Sequence, residues 1–225
     1  MMTNLFSIFD PSTSMLKMNL NWISAMLGMM LMPSWYWTMN NRYKTVLMMP
    51  LNKMNKEFKM LMNMKTNKGS TLMFMSMLMM IMYNNLMGLC PYLFTSTSHM
   101  TVTLSMALPL WMSFMMMGWL KKTKHMFTHL VPMNTPMILM PFMVCIETIS
   151  NLIRPGTLSM RLAANMIAGH LMMTLLSNST SSATMNFMPE MIIIQMMLMI
   201  LEMAVAIIQG YVMAVLSLLY ASEVN

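Results

Sequence analysis

Charge is what this sequence has least of. Aspartate and glutamate number 6, lysine and arginine 13, and together they make up 8% of 225 residues, against 57% hydrophobic. An ordinary soluble domain carries about 25% charged residues. A chain this poor in charge cannot clothe a water-facing surface, so most of its surroundings are expected to be lipid. The same scarcity bears on the net charge of +7. A nucleic-acid binder gathers lysine and arginine on one face among polar residues. Here they fall in two short runs between long apolar segments, as a membrane topology signal does, and no nucleic-acid partner is expected. Cysteine is reduced to Cys90 and Cys145, both alone in apolar surroundings and without metal-ligand spacing, so neither a disulfide nor a thiolate metal site has support. Residues 1–10 hold no positive stretch leading into a cleavable apolar one. No signal or transit peptide is therefore expected.

Methionine is abundant instead, with 45 copies and contiguous runs such as Met77-Leu78-Met79-Met80-Ile81-Met82. Thioethers suit soft ions such as Cu(I), but these runs follow no ligand spacing and read as methionine standing in for other aliphatic residues. His125 and His129 lie four apart in a basic loop without the two further ligands a tetrahedral site needs. No metal and no cofactor is expected.

A helix that spans a bilayer needs about 20 mostly apolar residues. Five stretches qualify: Met18 to Trp37, ending on the interfacial anchor Trp35-Tyr36-Trp37; Thr71 to Leu89; Met100 to Leu120; Met137 to Leu176; and Met191 to Tyr220. Between the first two lies a segment of another kind, at about 44–64. Leu51, Met54, Phe58, Leu61 and Met62 recur at helical spacing while Lys53, Lys56, Glu57 and Lys59 take the other side, which predicts an amphipathic helix on the membrane surface. The expected fold is an all-α integral membrane protein, residues 1–225 forming one polytopic domain with a long hairpin at about 137–220. Basic residues set its orientation. Arg42, Lys44, Lys53, Lys56, Lys59, Lys65 and Lys68 fall in the first connection and Lys121, Lys122 and Lys124 in the third, while the second and fourth have none. Alternation of this kind puts the odd-numbered connections and the C-terminus inside, and the N-terminus outside.

The fourth stretch is too long. About 40 residues at 1.5 Å each make roughly 60 Å, twice the hydrocarbon thickness. It must run oblique, or break, with Pro155-Gly156 the natural place; the fifth stretch is overlong as well. The same two segments hold the ionisable groups that lipid penalises most, which by default are functional. At 100° per residue, Glu147, Ser150, Arg154, Arg161 and Asn165 share one side of the fourth helix, His170 projects to the other side, and Gln195, Glu202 and Gln209 recur every seven residues on the fifth. Buried polar bonds that specify helix packing would account for the amides alone. Arg161, deep among Met, Leu and Ala, needs an anion or an aqueous cavity. A secondary transporter with a buried charge relay would satisfy that need, though the sequence has no inverted repeat. A haem subunit needs facing histidines inside, and only His170 lies in a spanning stretch.

The run from Glu147-Thr148-Ile149-Ser150-Asn151-Leu152-Ile153-Arg154-Pro155 through Arg161-Leu162-Ala163-Ala164-Asn165 to Ala168-Gly169-His170 resembles the signature of the subunit a family of F-type ATP synthases, in its mitochondrial, arthropod-like form. The likeness extends to the start, Asn4 to Pro11, and the end, Leu219 to Asn225. It implies a proton-conducting stator subunit of the mitochondrial inner membrane, not an enzyme by itself, with its N-terminus in the intermembrane space and its C-terminus in the matrix. The implied partners are a rotating c-ring, the peripheral stalk and other membrane-sector subunits. It also implies roles: Arg161 as the essential arginine, Asn165 beside it, Glu147 toward matrix exit, and His170, Glu202 and Gln209 on the proton path. In bacterial relatives the acid and the histidine at the positions of His170 and Glu202 are exchanged, which suggests a working pair. Ala164 departs from the family pattern, where many relatives have threonine. Small residues Ala163, Ala164, Ala168 and Gly169 are expected to let the rotor come close.

The charge alternation is directly testable. In intact mitoplasts, residues 53–68 should resist protease and cysteine-directed labels added from the outer side. Cleavage or labelling of that segment from outside would reverse the assigned topology.

Overall fold

A computed structural model describes residues 5–13, 18–30, 42–62, 69–90, 93–131, 136–182 and 187–224. Among the described residues seven helices run in chain order: α1 (Ser24–Met30), α2 (Arg42–Leu61), α3 (Ser70–Gly88), α4 (Met100–Lys121), α5 (Thr123–Leu130), α6 (Met140–Ser182) and α7 (Met188–Val224), with short 3-10 turns at Leu5–Phe9, Leu20–Ile23, Ser96–Ser98 and Met137–Leu139. Among the described residues four helices are long and apolar enough to cross a membrane: α3, α4, α6 with its leading turn, and α7. Of the first predicted crossing, Met18 to Trp37, the described part is helical from Leu20 to Met30; residues 31–37, with the Trp35-Tyr36-Trp37 anchor, lie outside the described residues. So do residues 63 and 64 of the predicted surface helix, together with Lys65 and Lys68.

Helix α3 has 19 residues, which at 1.5 Å each is about 28 Å and matches a hydrocarbon core. Helix α6 has 43, about 64 Å. It does not break at Pro155-Gly156, the alternative raised by its length. Proline removes one backbone bond, to the carbonyl four residues earlier. Pro155 is buried and borders a small cavity with Leu110 and Trp111 of α4 and Ser217 and Tyr220 of α7, and in such protein-covered surroundings a helix can continue through a proline. The unbroken length leaves a steep tilt as the way to fit a bilayer. At its far end α6 also outruns the predicted limit at Leu176. The hydroxyls of Ser179, Thr180 and Ser181 donate to the carbonyls of Leu176, Ser177 and Asn178, three residues back, so this polar tail satisfies itself within the helix.

Helix α7 is the centre of the bundle and packs on α3, α4 and α6. It runs antiparallel to α3. Asn85, fully buried near the end of α3, donates from Nδ2 to the carbonyl of Ala206 at 3.4 Å, while Leu78, earlier on α3, shares a buried cluster with Ala214, later on α7. That bond pairs a buried side-chain amide with a backbone carbonyl across the helix interface.

Helix α2 follows its pattern closely. Phe58 and Met62 are buried with Phe74, Leu78 and Met79 of α3 and Ala214, Leu218 and Ala221 of α7, while Lys53, Lys56, Glu57 and Lys59 are exposed. Leu61 departs from it, at 43% exposed. The helix is thus docked by Phe58 into the groove between α3 and α7. Glu57 is tied as well, accepting from the Tyr211 hydroxyl at 3.5 Å. Helix α5, which carries Lys124, His125 and His129, meets the same end of α7: Met126 and His129 share a cavity with Tyr220. Both basic connections therefore gather at one end of the bundle, the arrangement the charge alternation demands.

Phe58 is 0% exposed, and truncating a buried phenylalanine typically costs about 3–5 kcal/mol. The Phe58→Ala chain should lower the thermal midpoint of the subunit and free α2 for limited proteolysis. An unchanged midpoint with α2 still protected would mean that the docking rests on other contacts.

Candidate functional site

Polar side chains occupy three levels along α6, and α7 supplies a partner surface at each. The first level is at the basic end. Glu147 Oε1 lies 3.6 Å from Arg154 Nη2, two turns further along the same side of the helix, as their seven-residue spacing requires. The Arg154 guanidinium also stands over the Tyr220 ring, 5.1 Å from its centroid, a cation–π arrangement. Glu147, Asn151 and Arg154 border a cavity of about 110 Å³ with Trp111 and Phe114 of α4 and His129 of α5. Half-exposed on both sides, the ion pair lies within reach of water at this end.

The second level is fourteen residues on, about 21 Å along the axis. Arg161, Leu158, Leu162 and Asn165 of α6 and Val205, Ile208, Gln209, Val212 and Met213 of α7 line a cavity of about 260 Å³. Arg161 is exposed on the flank of the chain, not enclosed within it, and among the described residues it makes no salt bridge. The depth of Arg161 among Met, Leu and Ala along α6 is a matter of sequence position, and the flank it faces is added by the packing. Position along a helix gives depth in the bilayer; which flank is covered depends on packing. The guanidinium is left open to whatever lies against α6 and α7. Gln209 is buried, at 7% exposed, and neither end of its amide has a hydrogen-bond partner among the described residues. An amide so placed carries a standing cost that a water or an incoming polar group would remove.

Nine residues further, about 13 Å, His170 of α6 and Glu202 of α7 border a third cavity of about 280 Å³ with Asn165, Met166, Ala168, Gly169, Leu201 and Val205. His170 Nε2 and Glu202 Oε1 are both buried, and neither has a hydrogen-bond partner among the described residues. About two and a half turns apart on α6, and so on opposite sides of it, Arg161 and His170 border the α7 seam from opposite flanks. Asn165 and Val205 line both cavities and so stand between the two levels. Arg161, Asn165, His170, Glu202 and Gln209 are thereby brought into one continuous seam, while Glu147 belongs to a separate opening at the far end.

Gly169 has a different use from the one its size suggested. A Cβ there would lie 2.7 Å from Glu202 Oε1 and 3.0 Å from Cδ, so the missing side chain is what lets the Glu202 carboxylate lie against α6. Ala163 likewise faces inward, at 2% exposed. Only Ala164 and Ala168 of the four small residues are exposed on the outer flank. Two contacts, one at each end of α6, carry no mark in the sequence: the Arg154–Tyr220 stacking and the approach of Phe9, from the first residues of the chain, to the His170 ring at 6.3 Å between centroids. Arg154 had one legible sign, its place on the stripe with Glu147.

Comparison with known proteins bears on the whole length. The model of the family described as ATP synthase A chain matches residues 15–222. Curated relatives named ATP synthase subunit a are similar from end to end: 59% identical over 226 residues in Aedes aegypti, 58% over 226 in Anopheles gambiae and 57% over 225 in Drosophila melanogaster, each alignment covering 100% of both chains.

Proposed function

The chain belongs to the ATP synthase A chain family, and on that premise we propose that it is the proton-conducting stator subunit of the synthase membrane sector, seated against a rotating ring of c subunits. The observation that carries this reading is the exposed Arg161, without a salt bridge among the described residues, between two cavities toward opposite ends of the bundle.

A guanidinium has no proton to give at any physiological pH, since its pKa exceeds about 12. It attracts an ionised carboxylate and does not compete for the proton that carboxylate must gain or lose. With Arg161 on the outer flank of α6, that carboxylate belongs to the neighbouring rotor helix, and Ala164 and Ala168 beside it permit a close approach. His170 and Glu202 serve entry from the outer, intermembrane-space face. Glu147 serves exit at the basic face, which is the matrix side of the mitochondrial inner membrane. Asn165 and Gln209 line the step between His170 and Arg161. A proton that used both paths would have to ride the rotor past Arg161, because the fixed positive charge opposes direct passage. Each crossing yields about 2.3 kcal/mol per 100 mV.

Replacing Arg161 with Ala should lower proton-driven ATP synthesis by about a hundredfold or more, with the complex still assembled. Lysine should recover little, since an ammonium can lose its proton and lacks the planar fork. Coupled synthesis at the normal rate in an assembled Arg161→Ala complex would defeat the proposed role.

A further inference from the structure

The first residues of the chain are fixed across the outer end of the α6–α7 seam. His99, at the start of α4, lies 2.9 Å from the Phe9 carbonyl through Nε2. A carbonyl only accepts, so Nε2 carries the hydrogen and His99 is the donor. The next carbonyl, Asp10, accepts from Asn21 Nδ2 at 3.2 Å. Two consecutive carbonyls are thus gripped by side chains from two separate elements. His99 is itself boxed, its ring 5.3 Å from Trp22 and 5.2 Å from Phe94 between centroids, and Ser24 Oγ donates to the Phe94 carbonyl at 2.8 Å. Between these anchors the Phe9 ring meets the His170 ring perpendicularly, at 89° and 6.3 Å.

Resting on the entry-path reading of His170, we propose that His99 is a positioning residue for proton uptake: it holds the Phe9 backbone so that the Phe9 ring fixes the His170 imidazole at the mouth of the Glu202 cavity. The need for such a support follows from the site. His170 Nε2 has no hydrogen-bond partner among the described residues, so polar contacts do not set the ring orientation on that side. A ring free to turn would present its nitrogens to the cavity only part of the time. A perpendicular aromatic neighbour restrains it without competing for its proton. The ionisable groups around the pair are few. Glu202 faces His170 from α7, His99 stands beyond Phe9, and Asp10 is exposed, its carboxyl held below the usual carboxylate range by the Ser12 N–H. The uncharged Phe9 side chain is therefore held between two histidines.

The test uses the assembled complex reconstituted in vesicles, with proton flux measured while pH is varied on each face separately. Phe9→Ala and His99→Leu should each lower flux about threefold or more and move the outer-face pH profile, leaving the inner-face profile in place. His99→Gln, whose amide can donate to the same carbonyl, should recover most of what His99→Leu loses. Introduced on top of His170→Ala, neither change should lower the residual flux further. Unaltered flux and outer-face profile in assembled Phe9→Ala, or an added loss on His170→Ala, would overturn the proposal. Where Phe9→Ala does not assemble, equal behaviour of His99→Gln and His99→Leu would overturn it. A His170→Ala complex with normal flux and profile would instead defeat the entry path itself, and this inference with it. Normal His170 dependence with no effect of Phe9 would defeat only the inference.

Discussion

A guanidinium cannot stand in hydrocarbon without water or an anion beside it, and the architecture of this chain answers to that constraint. Arg161 is at mid-length of a helix of 43 residues, far from either end by any count. Its surroundings within the chain are a cavity lined by Asn165 and Gln209, and among the described residues no carboxylate comes within salt-bridge distance of it. The only acids within α6 and the apolar body of α7, Glu147 and Glu202, are each in another opening. Arg154 takes Glu147, so the one anion on the same stripe is already engaged. Among the described residues the charge at the centre stays uncompensated, and an anion from outside the subunit would answer it.

The length of α6 and α7 follows from the same arrangement. On the proposed reading, entry, centre and exit residues sit at separate depths, and a helix laid obliquely spreads them over more rise than a perpendicular one. Glu147 and His170 are 23 positions apart, about 34 Å along α6, so a single helix carries groups for both ends. Small residues then set how closely the helices meet. Gly169 gives its space to the Glu202 carboxylate, and Ala163 gives its space to the inner packing. The buried, unpartnered atoms of His170, Glu202 and Gln209 all lie on this seam. Such groups cost stability, and their clustering along one line fits a path that water and protons occupy.

Much of this was legible in the residues. Apolar run length gave the four spanning helices found among the described residues, and the amphipathic period of Leu51, Met54 and Phe58 gave α2. The stripe of Glu147, Arg154, Arg161 and Asn165 came from helical phase alone. What phase cannot give is which flank of a helix a neighbour covers, and so Arg161 proved exposed and Ala163 and Gly169 proved inward-facing. Continuity through Pro155 was equally hidden, because local sequence does not show that the ring is buried beside α4 and α7. The extension of α6 to Ser182 depends on local hydroxyl bonds that composition reads as a loop. Phe9 and His99 meet across 90 residues of chain, and no local pattern announces so distant a contact.

The central claim is that two openings reach Arg161 from opposite faces of the membrane. In a chain whose Cys90 and Cys145, both free and exposed, are changed to Ser, single cysteines at positions 147 and 202 can be challenged with a membrane-impermeant thiol reagent from each side. The account predicts that Glu147→Cys reacts only from the basic, matrix face and Glu202→Cys only from the opposite face. Reaction of both from the same face would contradict it.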